Sequence, residues 1–96
     1  MTDEQKVQCG EILRYYGEAH QQRKSIEEMA ELICAITHGD RKNYVEELAD
    51  VSVMVEQLIQ ALSFEEKKTL IITIHDKITR QLLRIRNDNK EENTDE

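Results

Sequence analysis

The stretch that decides the fold is IEEMAELICAITHGDRKNYVEELADV, which covers residues 26–51. It begins with the heptad IEEMAEL and ends with the heptad VEELADV, whose first residue lies nineteen positions after that of the first. The two heptads match in their apolar positions, and each carries three acidic residues. Apolar residues at three- and four-residue steps predict amphipathic helices. The stretch therefore predicts two helices joined by the polar turn GDRKN.

The composition of the whole chain favours helix. Proline is absent, only three of the 96 residues are glycine, and Glu, Gln, Lys, Leu and Ile are abundant. With 39% hydrophobic residues, one Phe and no Trp, the core must be small and aliphatic. Association with further copies would bury more apolar surface, so we expect an oligomer. The net charge of -7 argues against nucleic-acid binding.

Capping residues and glycines mark the ends of the predicted helices. Gly39 is a typical residue after a helix end, and Ser63 with Glu66 forms a capping-box pattern. The predicted bounds are Thr2 or Asp3 to about Tyr16, Glu18 to His38, about Tyr44 to Leu62, and Ser63 to about Asn87. Short turns between helices make neighbours antiparallel. The predicted fold class is therefore all-α, a four-helix antiparallel bundle.

The domain organisation and location also follow from simple patterns. Residues 1–87 are predicted to form one helical domain, and residues 88–96 (DNKEENTDE), with five acidic residues and one lysine, an acidic disordered tail. No segment resembles a signal peptide or a membrane span. Cys9 and Cys34 match no metal-binding spacing, so we interpret them as small apolar residues in a reducing cytoplasm.

The repeated heptads place acidic residues on two facing helices. Residues three apart lie on one face of a helix, so Glu28 pairs with Glu31, and Glu47 with Asp50. In an antiparallel hairpin these four carboxylates could meet in one cleft. On the third helix the acids begin an apolar stripe that includes Met54, which indicates burial. On the second helix the pattern is weaker, and a solvated acidic face remains an alternative.

Four converging carboxylates would repel one another, and partial burial would increase the repulsion. Two remedies exist: the acids bind protons, or a cation lies among them. Oxygen ligands alone suit a hard divalent ion such as Mg²⁺ or Mn²⁺. Carboxylates that point inward from facing helices are an established way to build a metal site in a bundle.

The motifs EEMAE and ELAD resemble the EExxE and ExxD signature of the MazG-like, all-α nucleoside triphosphate pyrophosphatase superfamily, which includes dimeric dUTPases. The gap between Glu31 and Glu47 has the family's length, and YGEAHQQRKSIEEMAELI resembles the family's entry into its metal helix. The resemblance covers about residues 12–86. It is greatest to short, single-domain members of bacterial and phage type, and it leaves the choice of substrate open.

The resemblance implies that Glu28, Glu31, Glu47 and Asp50 are ligands of Mg²⁺, with Mn²⁺ as a possible substitute, and that Glu27 is an extra acid beside them. Family members convert a nucleoside triphosphate and water to the monophosphate and pyrophosphate. They often act as dimers or tetramers whose subunits share the site. The implied function is therefore a Mg²⁺-dependent pyrophosphohydrolase that acts on nucleoside triphosphates, with a role in nucleotide-pool housecleaning.

Other residues have candidate roles in that chemistry. Glu27 is a candidate catalytic base, although it lies about 100° around the helix from Glu28. Gln21, Lys24, Lys77 and Arg80 are candidate substrate-binding residues. For Lys24 the alternative is an ion pair with Glu28, and for the two cations of the fourth helix it is a favourable interaction with the helix dipole.

Two questions stay open from the sequence. Tyr15, Tyr16 and Tyr44 are candidates for stacking on a nucleobase, and packing at a core edge is the alternative. The alternative function is a non-enzymatic acidic helical interaction module, such as a phage-type regulator or a nucleic-acid mimic, with both heptads on solvated faces. A family member that binds nucleotide without turnover is a third possibility. Release of pyrophosphate separates these readings.

Overall fold

The computed structural model describes residues 1–94 and contains four α-helices and no strand within that range. The helices are α1 (Asp3–Tyr16), α2 (Glu18–His38), α3 (Arg41–Gln60) and α4 (Phe64–Thr94). The prediction of an all-α fold with four helices is therefore confirmed. No helix of the described part has the length and apolar character that crossing a membrane requires.

Local hydrogen bonds explain the start of α1 and the end of α2, which match the prediction. The Thr2 hydroxyl accepts from the Gln5 backbone N–H, and the Gln5 side chain accepts from the Thr2 N–H, which completes a capping box on α1. Gly39 ends α2 with a positive φ of 73°, and its N–H donates to the Ala35 carbonyl. Side chains other than glycine rarely adopt that backbone conformation.

The third helix begins earlier than predicted. The Asp40 carboxylate accepts a hydrogen bond from the Asn43 backbone N–H at 3.2 Å, so Asp40 is the N-cap and α3 starts at Arg41. The prediction placed this start near Tyr44 because GDRKN was interpreted as a polar turn throughout. A well-placed N-cap is stabilising, and the polar residues that follow Asp40 therefore form the first turn of the helix.

The fourth helix begins as predicted and ends later. Ser63 and Glu66 exchange hydrogen bonds at 2.8 and 3.1 Å, which confirms the predicted capping box. The predicted end near Asn87 is wrong, since α4 continues to Thr94. The sequence after Asn87 contains no glycine or proline that would stop a helix. The division into a domain (1–87) and an acidic tail (88–96) stays a prediction, and residues 95–96 lie outside the described range.

The chain forms two compact units, Met1–Leu62 and the segment that begins at Ser63 and contains α4. In the first unit α2 packs along α3, and α1 contacts both. The α2–α3 hairpin is antiparallel, because Gln21 near the start of α2 donates to Gln57 near the end of α3.

The interior of the first unit is unusually polar. Its buried apolar residues are Cys9, Ala35 and Met54. Four polar or charged residues are buried as well: Gln21, Ser25, Glu28 and Gln57. Buried polar groups are costly unless they are paired, so the partners of these side chains decide the stability of the hairpin.

Candidate metal centre

The hairpin brings the two acidic heptads face to face. One carboxylate oxygen from each of Glu28, Glu47 and Asp50 lies within 4.8 Å of the other two. Glu28 is on α2, whereas the other two acids are on α3. The antiparallel register that sets Gln21 opposite Gln57 also sets Glu28 opposite Asp50 and Glu31 opposite Glu47. The repeated heptads are therefore related by a local two-fold axis that passes through the cluster.

Two oxygens of this cluster are buried without a partner. Glu28 is only 9% exposed, Glu47 is partly buried, and Asp50 is exposed to solvent. The Oε2 atoms of Glu28 and Glu47 are both inaccessible and accept no hydrogen bond from the described residues. An unpaired buried carboxylate oxygen is unfavourable, and a divalent cation is one group that would satisfy both. The donor set thus fits a hard metal ion.

The electrostatics of Glu47 reflect the crowding of acids around it. The pKa of Glu47 is raised above its usual value of 4.5, first by desolvation and then by the charge of Glu31, a hydrogen bond with Glu31, and the charges of Asp50 and Glu28. Glu31 is exposed and is not one of the three residues whose oxygens cluster within 4.8 Å. It acts on the cluster through its effect on the pKa of Glu47.

A lysine lies beside the cluster. Lys24 Nζ is 3.2 Å from Glu28 Oε1 and 3.5 Å from Glu27 Oε2. The hydrogen bond and charge of Glu28, followed by the charge of Glu27, raise the pKa of Lys24. Glu27 itself is largely exposed, at the side of the cluster. Lys24 therefore neutralises part of the acidic charge beside the cluster.

Residues 19–84 match the family described as MazG nucleotide pyrophosphohydrolase domain. The match covers more than half of the chain and includes both acidic heptads. The chain belongs to the MazG family. This confirms the family predicted from the motifs EEMAE and ELAD. Comparisons with curated proteins and with solved structures gave no significant match.

Within this MazG domain, Gln21 does not lie on an open surface. Its side chain is 3% exposed, its Nε2 donates to Gln57 Oε1 at 2.8 Å, and its Oε1 accepts from His20 Nδ1 at 2.7 Å. Both ends of the amide are therefore hydrogen-bonded within the protein, and the role of Gln21 in substrate binding stays a prediction.

The sequence analysis missed Gln57, although a signal for it exists. Gln57 follows Asp50 by seven residues, and Gln21 precedes Glu28 by seven, so both amides lie two helical turns from an acid of the cluster. The amide pair thus continues the interior layer that contains the acids. Lys77 and Arg80 are exposed on α4 of the MazG domain, and their role stays a prediction.

The raised pKa of Glu47 predicts how the stability of the metal-free protein depends on pH. The folded-state pKa lies above the unfolded value, so the stabilising contribution of the protonated carboxyl is complete below pH 4.5 and is lost as pH rises through the raised pKa. The glutamine of Glu47→Gln cannot ionise, so we expect this variant to lose less stability than wild type as pH rises. Thermal melts in EDTA between about pH 4 and pH 8 measure this difference in pH dependence.

The matched control for this pH experiment is Glu46→Gln, which removes an exposed carboxylate on the same helix. It should follow the wild-type slope. If the melting temperatures of wild type and Glu47→Gln changed with pH in parallel, the ionisation of Glu47 would not affect stability, which would contradict the prediction.

Proposed function

We propose that this MazG domain is a Mg²⁺-dependent nucleoside triphosphate pyrophosphohydrolase, which converts NTP or dNTP and water to the monophosphate and pyrophosphate. One observation carries the proposal: three carboxylates converge within 4.8 Å, and two of them bury an oxygen that has no partner. A solvated acidic surface would leave those oxygens bonded to water. The buried geometry therefore favours a metal site over the alternative of an acidic interaction module.

The proposed ligands of the metal are Glu28, Glu47 and Asp50, with Glu31 as a fourth carboxylate beside Glu47. Hard ions such as Mg²⁺ and Mn²⁺ prefer carboxylate oxygens to nitrogen or sulfur ligands. When bound, such an ion neutralises and orients phosphate oxygens, which an acidic cluster alone would repel. A nucleotide-pool housecleaning role is part of this proposal.

The remaining chemistry falls to residues at the rim of the cluster. In the proposed mechanism Glu27 accepts a proton from the attacking water, since its exposed carboxylate lies beside Glu28 without being buried in the cluster. Lys24 Nζ donates to a phosphate oxygen from its position between these two acids. Lys77 and Arg80 are proposed as further phosphate-binding cations on α4.

We also propose that the active form is a homodimer or homotetramer. Ile26, Met29, Ile33 and Ile36 follow one another at steps of three and four residues on α2, and all are exposed. A continuous apolar stripe of this kind marks an association surface, and a chain with so few buried apolar residues needs one. We propose a cytoplasmic location as well.

A panel of ribo- and deoxyribonucleoside triphosphates tests the proposed reaction. We expect pyrophosphate and the monophosphate as products with Mg²⁺ or Mn²⁺, and no turnover with EDTA, because the acids alone cannot bind a polyanion. Products are resolved by ion-exchange chromatography and by separate assays for pyrophosphate and orthophosphate. Release of orthophosphate as the primary product, or no turnover of any nucleotide, would contradict the assignment.

A further inference from the structure

A cavity of about 270 Å³ lies at the turn between α2 and α3. Its lining residues are Ala35, Ile36, Gly39, Asp40, Arg41 and Tyr44. Pockets that hold a whole drug-sized ligand measure about 300–1,000 Å³. This cavity is slightly smaller, so it suits one ring system of a larger ligand whose remainder lies outside it.

The lining combines an aromatic ring, a cation and an apolar wall. The guanidinium carbon of Arg41 lies over one face of the half-buried Tyr44 ring, 5.0 Å from the ring centroid, and Ala35 and Ile36 provide apolar surface. The Asp40 carboxylate is engaged in capping α3. A planar heterocycle can stack on the remaining face of such a ring, and the guanidinium adds a cation–π contribution.

The cavity and the acidic cluster occupy neighbouring layers of the same hairpin. Tyr44 precedes Glu47 by three residues on α3, and Ala35 follows Glu31 by four on α2. At 1.5 Å per residue, these steps of three and four residues correspond to about 4.5 and 6 Å along the helices. In a nucleotide only the sugar separates the base from the first phosphate, so one nucleotide can reach both layers.

We propose that this cavity binds the nucleobase of the nucleotide whose phosphates lie at the acidic cluster, with Tyr44 as the stacking residue and Arg41 as the cation beside the ring. The inference rests on the proposed function and adds the residues that determine base preference. It selects Tyr44 from the three tyrosines, since Tyr15 is 82% exposed and Tyr16 stacks on His20 instead.

Binding of products separates the base from the phosphates. We expect Tyr44→Ala to raise the Kd of nucleoside monophosphates about 5- to 100-fold in the presence of Mn²⁺, since base stacking on an aromatic ring has that effect. The Kd of pyrophosphate, which has no base, should stay unchanged. Tyr44→Leu keeps apolar bulk without the aromatic face and should behave like Tyr44→Ala, whereas Tyr44→Phe should retain wild-type affinity. Tyr15→Ala is the matched control. Isothermal titration calorimetry gives all these constants.

A second measurement does not depend on removing Tyr44. The chain contains three Tyr and no Trp, so its intrinsic fluorescence comes from tyrosine. In the double variant Tyr15→Phe/Tyr16→Phe, Tyr44 is the sole tyrosine. A monophosphate should quench its fluorescence, and pyrophosphate should not.

The outcomes distinguish this inference from the proposed function. If neither monophosphates nor pyrophosphate bind with Mn²⁺, the proposed function fails together with the inference. If both bind, but Tyr44→Ala and Tyr44→Leu leave the monophosphate Kd unchanged, or weaken pyrophosphate equally, the inference alone is overturned. Absence of quenching in the double variant also overturns it.

Discussion

Glu47→Gln should abolish the stabilisation by Mg²⁺ and lower the rate of pyrophosphate release at least about 100-fold. Mutation of residues that only orient metal ligands already lowers metal affinity or activity about 10- to 100-fold, and Glu47 is proposed as a ligand itself. Glu47 contributes one of the three clustered oxygens and one of the two buried oxygens without a partner. The glutamine keeps the shape of the side chain and removes the charge that a divalent ion requires. Melts with and without millimolar Mg²⁺ test binding by mass action, and the pyrophosphate assay tests turnover.

Two features of this experiment make it specific. Glu46→Gln, one residue away and exposed, removes the same charge from the same helix and should behave like wild type in both assays. In the metal-free protein Glu47→Gln should raise the melting temperature at neutral pH, because it removes the charge whose desolvation and repulsion by neighbouring acids raise the Glu47 pKa. A rise in stability together with a loss of turnover excludes unfolding as the cause. Turnover that survives in Glu47→Gln would remove Glu47 from the proposed site.

Gln57→Leu should destabilise the protein by about 1–3 kcal/mol, the cost of leaving a buried donor without an acceptor. Gln57 is 1% exposed, and its Oε1 accepts from Gln21 Nε2 at 2.8 Å inside the hairpin. For a domain of this size each kcal/mol lowers the melting temperature by about 4–8 °C. Calorimetric or circular-dichroism melts give the shift.

The double variant Gln21→Leu/Gln57→Leu is the matched control for that loss. It replaces both partners by apolar groups, and we expect it to recover much of the stability that the single variant loses. It should also keep the stabilisation by Mg²⁺, because neither amide belongs to the acidic cluster. If the two single effects simply add, or if Gln57→Leu is neutral, the amide pair does not hold the hairpin together.

The sequence predicted the helix ends that depend on local signals. Gly39 and the Ser63–Glu66 pair act within a few residues, so their effect can be read without knowing the tertiary structure. The start of α3 was missed because Asp40 could either continue a turn or cap a helix. Asp favours both positions, and the choice depends on how α3 packs against α2.

The convergence of the acids was predictable because the same pattern of acidic and apolar residues occurs in both heptads. Two matched heptads on antiparallel helices meet around a local two-fold, which fixes the partners of Glu28 and Glu47 once the turn is placed. The Gln21–Gln57 bond is different, since it joins residues 36 positions apart. The sequence does not predict a contact between two glutamines on helix faces, because glutamine is mostly found on solvated surfaces.

A crystal structure of the protein with Mn²⁺ tests the central claim most directly, because the anomalous signal locates the metal independently of activity. The account predicts a peak among the carboxylates of Glu28, Glu47 and Asp50, with oxygen distances near those of a hard divalent ion, and no such peak in Glu47→Gln. Full Mn²⁺ occupancy elsewhere, with these three side chains bonded only to water, would contradict it.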